Sequence, residues 1–85
     1  NKGKVKHRLV AACCYVKLSD FDRAFDNLER IVFGARFSNY NEITSNDCYK
    51  PLKKDARWNR LIEGLKKNVE ETQLRIKAEA PTGMQ

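Results

Sequence analysis

Proline and glycine are scarce. The 85 residues hold two prolines, Pro51 and Pro81, and four glycines, Gly3, Gly34, Gly64 and Gly83. Collagen-like and low-complexity chains are excluded on that count. The glycines are scattered, so no loop of them can cradle a phosphate. Histidine occurs once, at His7, and the three cysteines, Cys13, Cys14 and Cys48, form no Cys-x-x-Cys knuckle. A zinc set drawn from these four residues therefore lacks the spacing such sites use. His7 and Cys14 stand two helical turns, roughly 10 Å, apart along one helix, too far for a nucleophile–base hydrogen bond. Long apolar runs are missing too. The longest, Leu9 to Val16, has eight residues, against the roughly 18 that a membrane span needs. The start interleaves Lys2, Lys4, Lys6 and Arg8 with polar residues and shows no secretory signal pattern. The first residue is not Met, and the expectation is a piece of a longer protein.

What is present is charge, unevenly placed. Residues 1–17 hold five basic groups and no acid, residues 18–49 three basic and six acidic, and residues 50–85 nine basic and five acidic, for a net +6. Basic ends around an acidic middle attract acidic partners, or simply solvate the faces of a small domain. With 41% hydrophobic and 33% charged residues the composition is that of a folded, soluble domain. An odd number of cysteines with one adjacent pair makes a poor disulfide framework. Cys13 and Cys14 read as small buried hydrophobes, and unpaired thiols lean toward a reducing, cytoplasmic setting.

The apolar spacing is helical. Val5, Leu9, Ala12 and Val16 line one face of a first helix, widened by Cys13. Ser19-Asp20 stops it and caps the next, with Asp22 at the positive end of the dipole. Phe21, Ala24, Phe25, Leu28, Ile31 and Val32 form a second stripe, ended by Gly34. Residues 37–54 carry turn and capping types, with one helical turn at Tyr40–Ile43 and with Tyr49 and Leu52 as apolar pins; Pro51 bars a regular helix there. Asp55 caps a third helix whose face is Trp58, Leu61, Ile62, Leu65, Val69 and Ile76. Gly64 costs that helix about 1 kcal/mol relative to alanine without breaking the period. The helix fades before Pro81 into a frayed tail.

Ala12, Tyr15 and Leu18, then Ser19-Asp20-Phe21-Asp22-Arg23-Ala24-Phe25 and Leu28, resemble a tetratricopeptide repeat. Small Ala12 and Ala24 would let the two helices approach, with Tyr15 and Phe21 filling the groove beside them. Two positions depart from the repeat: Ile31 replaces a small residue and Arg36 a frequent proline, which points to a terminal, atypical repeat. Asn46-Asp47-Cys48-Tyr49-Lys50-Pro51-Leu52, then Asp55-Ala56-Arg57-Trp58 and Leu61-Ile62, look like the ending of many bacterial tetratricopeptide proteins, with Asp47 and Ala56 where prolines usually stand. The resemblance covers about residues 5–66. It implies an all-α fold: a helical hairpin over 1–36, an irregular connector over 37–54, a capping helix over 55–78 and a tail over 79–85. It also implies further repeats upstream, or self-association through the outer face of the first helix, including Leu9 and Cys13.

The functional expectation is a non-enzymatic scaffold or protein-interaction module with no cofactor, binding a protein or peptide partner or a second copy. Asp20, Asp22 and Asp26 read as caps and solvated charge rather than catalytic carboxylates. The alternatives are an accessory domain of an enzyme whose catalytic part lies upstream, and a basic nucleic-acid-binding module. For the latter, Lys50, Lys53, Lys54, Arg57 and Arg60 would contact phosphates while Tyr49 and Trp58 stack on bases. The helical stripe, however, turns Trp58 toward the core.

Overall fold

In a computed structural model, residues 2–79 are described, with side chains for 4–76. Helix α1 spans Lys2–Lys17 and α2 spans Phe21–Glu29. A π turn, Arg30–Gly34, continues α2. Short α3 covers Tyr40–Thr44, a 3₁₀ segment covers Asp47–Lys54, and the long α4 runs Ala56–Glu79. The described residues contain no strand, so the chain is all-α as its spacing requires.

The turn between α1 and α2 follows from backbone hydrogen bonding. Ser19 adopts the left-handed conformation (φ 61°). The Asp20 N–H then donates to the Tyr15 carbonyl at 2.8 Å and the Ser19 N–H to the Val16 carbonyl at 2.9 Å. That is the paired closure that ends many helices. The Asp20 side chain in turn accepts from the Arg23 N–H at 3.2 Å and starts α2. Ala12 and Ala24 are completely buried, the small residues that let α1 and α2 lie close.

At the far end of the hairpin the expectation needs correction. The second helix does not stay α-helical to residue 33; it widens at Arg30, and the left-handed residue is Arg36 (φ 55°), not Gly34. The Phe37 N–H reaches back to the Ile31 carbonyl at 2.9 Å. Proline, locked near φ −65°, cannot take this position.

The connector is more regular than expected. Its 3₁₀ segment is continuous through exposed Pro51. Asn46 caps it by accepting from the Cys48 N–H at 2.9 Å. The segment packs on α1, burying Tyr49 and Leu52. The Tyr49 hydroxyl donates to the Leu9 carbonyl at 2.7 Å, within the core. Burial, and then the nearby Glu42 carboxylate, push its pKa up to about 12. Cys13 and Cys48 form a disulfide, Cα atoms 5.6 Å apart. Reading the cysteines as unpaired buried hydrophobes was wrong for these two, and the lean toward a reducing compartment loses its basis with it. Cys13 is committed to that bond and Leu9 is only 8% exposed, so neither stands freely on the outer face through which self-association is expected.

Helix α4 lies against the π turn, the 3₁₀ segment and α2. Trp58, Leu61 and Leu65 are buried and Ile62 packs partly against the core. The stripe fails at its end: Ile76 is 59% exposed, and Leu74 62%. At Gly64 the ring of Phe33 sits where a side chain would begin. The glycine is there to admit that ring, with Arg60 stacked over it at 5.7 Å. Asn68 donates to the Val32 and Phe37 carbonyls at 2.6 and 2.9 Å, pinning α4 to the exit of the hairpin. The expected frayed tail lies mostly outside the described residues.

Candidate functional site

The cap motif is structural. Asp55 accepts from the Arg57 N–H at 2.9 Å and opens α4. The Arg57 guanidinium donates to both Asp55 oxygens, at 3.1 and 2.9 Å, and to Asp22 at 2.9 Å. It also lies over the Phe25 ring at 4.6 Å. This fork ties the start of α4 to the start of α2. The hydrogen bonds and charge of Arg57 hold the Asp55 carboxyl near pKa 2, and the two carboxylates hold the guanidinium above its ordinary value.

The proposed phosphate-contact cluster is only partly assembled. Lys50, Lys53, Lys54 and Arg60 are exposed. Arg57 is committed to its carboxylates, Tyr49 is 1% exposed and Trp58 8%. The two aromatics that would stack on bases are therefore core residues. Stacking platforms need an open ring face, and these have none.

The repeat-signature residues are also structural. Ala12, Ala24 and Leu28 are fully buried. Tyr15 and Phe21 pack partly against the core, and Arg23 lies over the Tyr15 ring at 5.9 Å. His7 is exposed, and among the described residues no group of three His, Cys, Asp or Glu could hold a metal ion. No described helix is long and apolar enough to cross a membrane.

Besides the end of α4, where Leu74 and Ile76 are exposed, and the half-exposed Phe33, two apolar surfaces stand open among the described residues. One is a groove of about 590 Å³ floored by Val5, Leu9, Ala35 and Phe37 and rimmed by Lys4, Lys6 and Glu42. Its rim mixes both signs of charge. The other is the outer face of α1. Val10 is 58% and Leu18 73% exposed, and the free thiol Cys14 is exposed between them. The Leu18 N–H still donates to the Cys14 carbonyl at 3.1 Å, so the three residues form one stripe at a spacing of four. The sequence carried this signal as residues left over once the inward stripe was assigned. The Cys13–Cys48 and Asp22–Arg57 links and the Asn68 tether carried none, because each joins residues at least 31 positions apart.

The chain matches no protein-family model, no curated protein and no solved structure.

Proposed function

We propose that this chain is a non-enzymatic helical-repeat module that binds another protein through the outer face of α1, in the manner of a hairpin closing a tetratricopeptide-like array. The observation that carries this reading is the exposed Val10–Cys14–Leu18 stripe. The inner side of α1 is covered by α2 and the 3₁₀ segment. Two large aliphatic side chains more than half exposed on one helix stripe are what a neighbouring helix buries. The occupant is a helical layer from upstream in a longer protein, a separate protein or a second copy.

Nucleic-acid binding is the weaker reading, since Arg57, Tyr49 and Trp58 are withdrawn from the surface that would serve it. A partner is identified by photo-crosslinking from position 10 and its affinity measured by titration. Val10→Glu and Leu18→Glu weaken that affinity with helicity unchanged, and the Lys53→Glu/Lys54→Glu pair leaves it. Micromolar, steeply salt-dependent oligonucleotide binding that the lysine pair abolishes would overturn the reading.

A further inference from the structure

A cleft runs between the exit of the hairpin and one side of α4, and its lining is basic. Gly64, Lys67, Asn68, Glu71 and Arg75 follow one another at one to four positions and share one face of that helix. The exit of the hairpin, from Phe33 to Arg36, forms the other wall. Two cavities, of about 390 and about 230 Å³, adjoin there, both lined by Arg36, Asn68 and Glu71. The larger adds Thr72 and Arg75, the smaller Lys67, Gly64 and Phe33. Arg36, Lys67 and Arg75 therefore share the cleft with one carboxylate, Glu71. The next charges along α4, Arg60 and Lys66 against Glu63 and Glu70, cancel one another, so the positive excess stays. Among the described residues the cleft holds one ion pair, Arg36 with Glu71 at 3.8 Å. Such a long, exposed pair contributes little and is readily exchanged.

We propose that this cleft binds a small phosphate monoester, its phosphate held by Arg36 and Arg75 and its organic body lying along Phe33 beside Gly64. The walls are set before a ligand arrives, because the Asn68 amide ties α4 to the Val32 and Phe37 carbonyls. Arg36 occupies a left-handed backbone position (φ 55°) that glycine or asparagine takes at less cost, and it is the cation that lines both cavities. Guanidinium forks match phosphate oxygens in pairs, and the Thr72 hydroxyl supplies a neutral donor beside them. Cavities of a few hundred Å³ are the size of a small-molecule site. The half-exposed Phe33 ring gives the smaller one an apolar wall that inorganic phosphate alone does not use. Glu71 is the competitor: a bound phosphate takes Arg36 from it and meets its charge. The cleft is separate from the α1 stripe, and the proposal does not depend on that stripe.

Amide shifts of the full chain, titrated at fixed ionic strength with phenyl phosphate and separately with inorganic phosphate, test this. Saturable shifts are expected at Gly34–Arg36 and Lys67–Arg75, with phenyl phosphate the tighter ligand. Arg36→Asn, which suits the left-handed backbone, and Arg75→Gln are each expected to weaken phenyl phosphate by roughly tenfold or more, with circular dichroism unchanged. Glu71→Gln is expected to strengthen it, since a competing carboxylate is lost; a merely structural Arg36–Glu71 pair would not give that sign. Phe33→Ala is expected to bring phenyl phosphate down to the level of inorganic phosphate. Should Phe33→Ala fail to fold, the comparison of the two ligands on the unsubstituted chain carries the same point. Val10→Glu is expected to bind both as the parent does, so this result and the fate of the α1 reading are scored separately. No saturable shift at millimolar ligand, equal affinity for the two ligands, or binding indifferent to Arg36→Asn and Arg75→Gln would each overturn the proposal. A short single-stranded oligonucleotide held more tightly than phenyl phosphate at these same residues would also overturn it, and would assign the cleft to a nucleic-acid backbone.

Discussion

Replacing Cys48 with serine cuts the only covalent tie between the 3₁₀ segment and α1 among the described residues. The linked cysteines are 35 positions apart, a loop for which the chain-entropy relation gives about 4 kcal/mol of stabilisation. A domain of this length has a total stability of roughly 4–13 kcal/mol, so the bond supplies a large fraction of it. At about 4–8 °C per kcal/mol the melting temperature falls by roughly 15–30 °C. Tyr49 and Leu52 stay buried beside the lost bond, so the whole domain melts earlier rather than the segment peeling away alone. Circular dichroism at 222 nm reads the shift. A phosphine reductant should impose the same loss on the unsubstituted protein, while Cys14→Ser leaves its melt unchanged. Three titratable thiols in the oxidised native protein, or a loss below about 1 kcal/mol in Cys48→Ser, would refute the reasoning.

Trp58→Ala should cost about 3–5 kcal/mol in denaturant melts, whereas Lys53→Glu/Lys54→Glu stays within about 0.5 kcal/mol. Ala24→Leu should overpack the α1–α2 contact by about 1–3 kcal/mol, and a variant as stable as the parent would remove the basis for that close approach. Gly64→Ala should fall short of the about 1 kcal/mol that alanine normally gains over glycine in a helix, and should recover the gain in a Phe33→Ala background, a coupling that a double-mutant cycle reads directly. Asp55 is held near pKa 2 when folded and titrates near 4 when unfolded, so the stability it contributes is present above pH 4 and lost as pH falls toward 2. Acid melts of Asp55→Asn should lose that part of the pH dependence.

The helices were legible because their cause is local. The inward stripes of α1 and α2, the Asp20 and Asp55 caps and the single turn at Tyr40 all follow from residues within a few positions of one another. Ala12 and Ala24 could be placed inside because their helical phase agrees with their bulky neighbours. The π turn at Arg30–Gly34 and the left-handed Arg36 were not legible. They answer to how Ile31, Val32 and Phe33 must meet α4, a contact with no local trace. Gly64 looked like a defect because Phe33, the ring it accommodates, lies 31 positions away. The disulfide was missed for the same reason: three cysteines have several possible pairings, and only the folding of the 3₁₀ segment back over α1 selects Cys13 with Cys48. The basic cluster, by contrast, looked coherent in sequence. Arg57 and the two aromatics turn away from it to serve the core and the cap.

The account turns on which surface of the domain is sticky. Amide chemical shifts followed as the Cys14→Ser protein is concentrated from micromolar to millimolar test this residue by residue. The prediction is a set of shifts centred on Val10, position 14 and Leu18, absent in Val10→Glu. No shifts at any concentration would remove the second copy as an occupant, and shifts centred on Lys50–Lys54 and Arg60 would contradict the account.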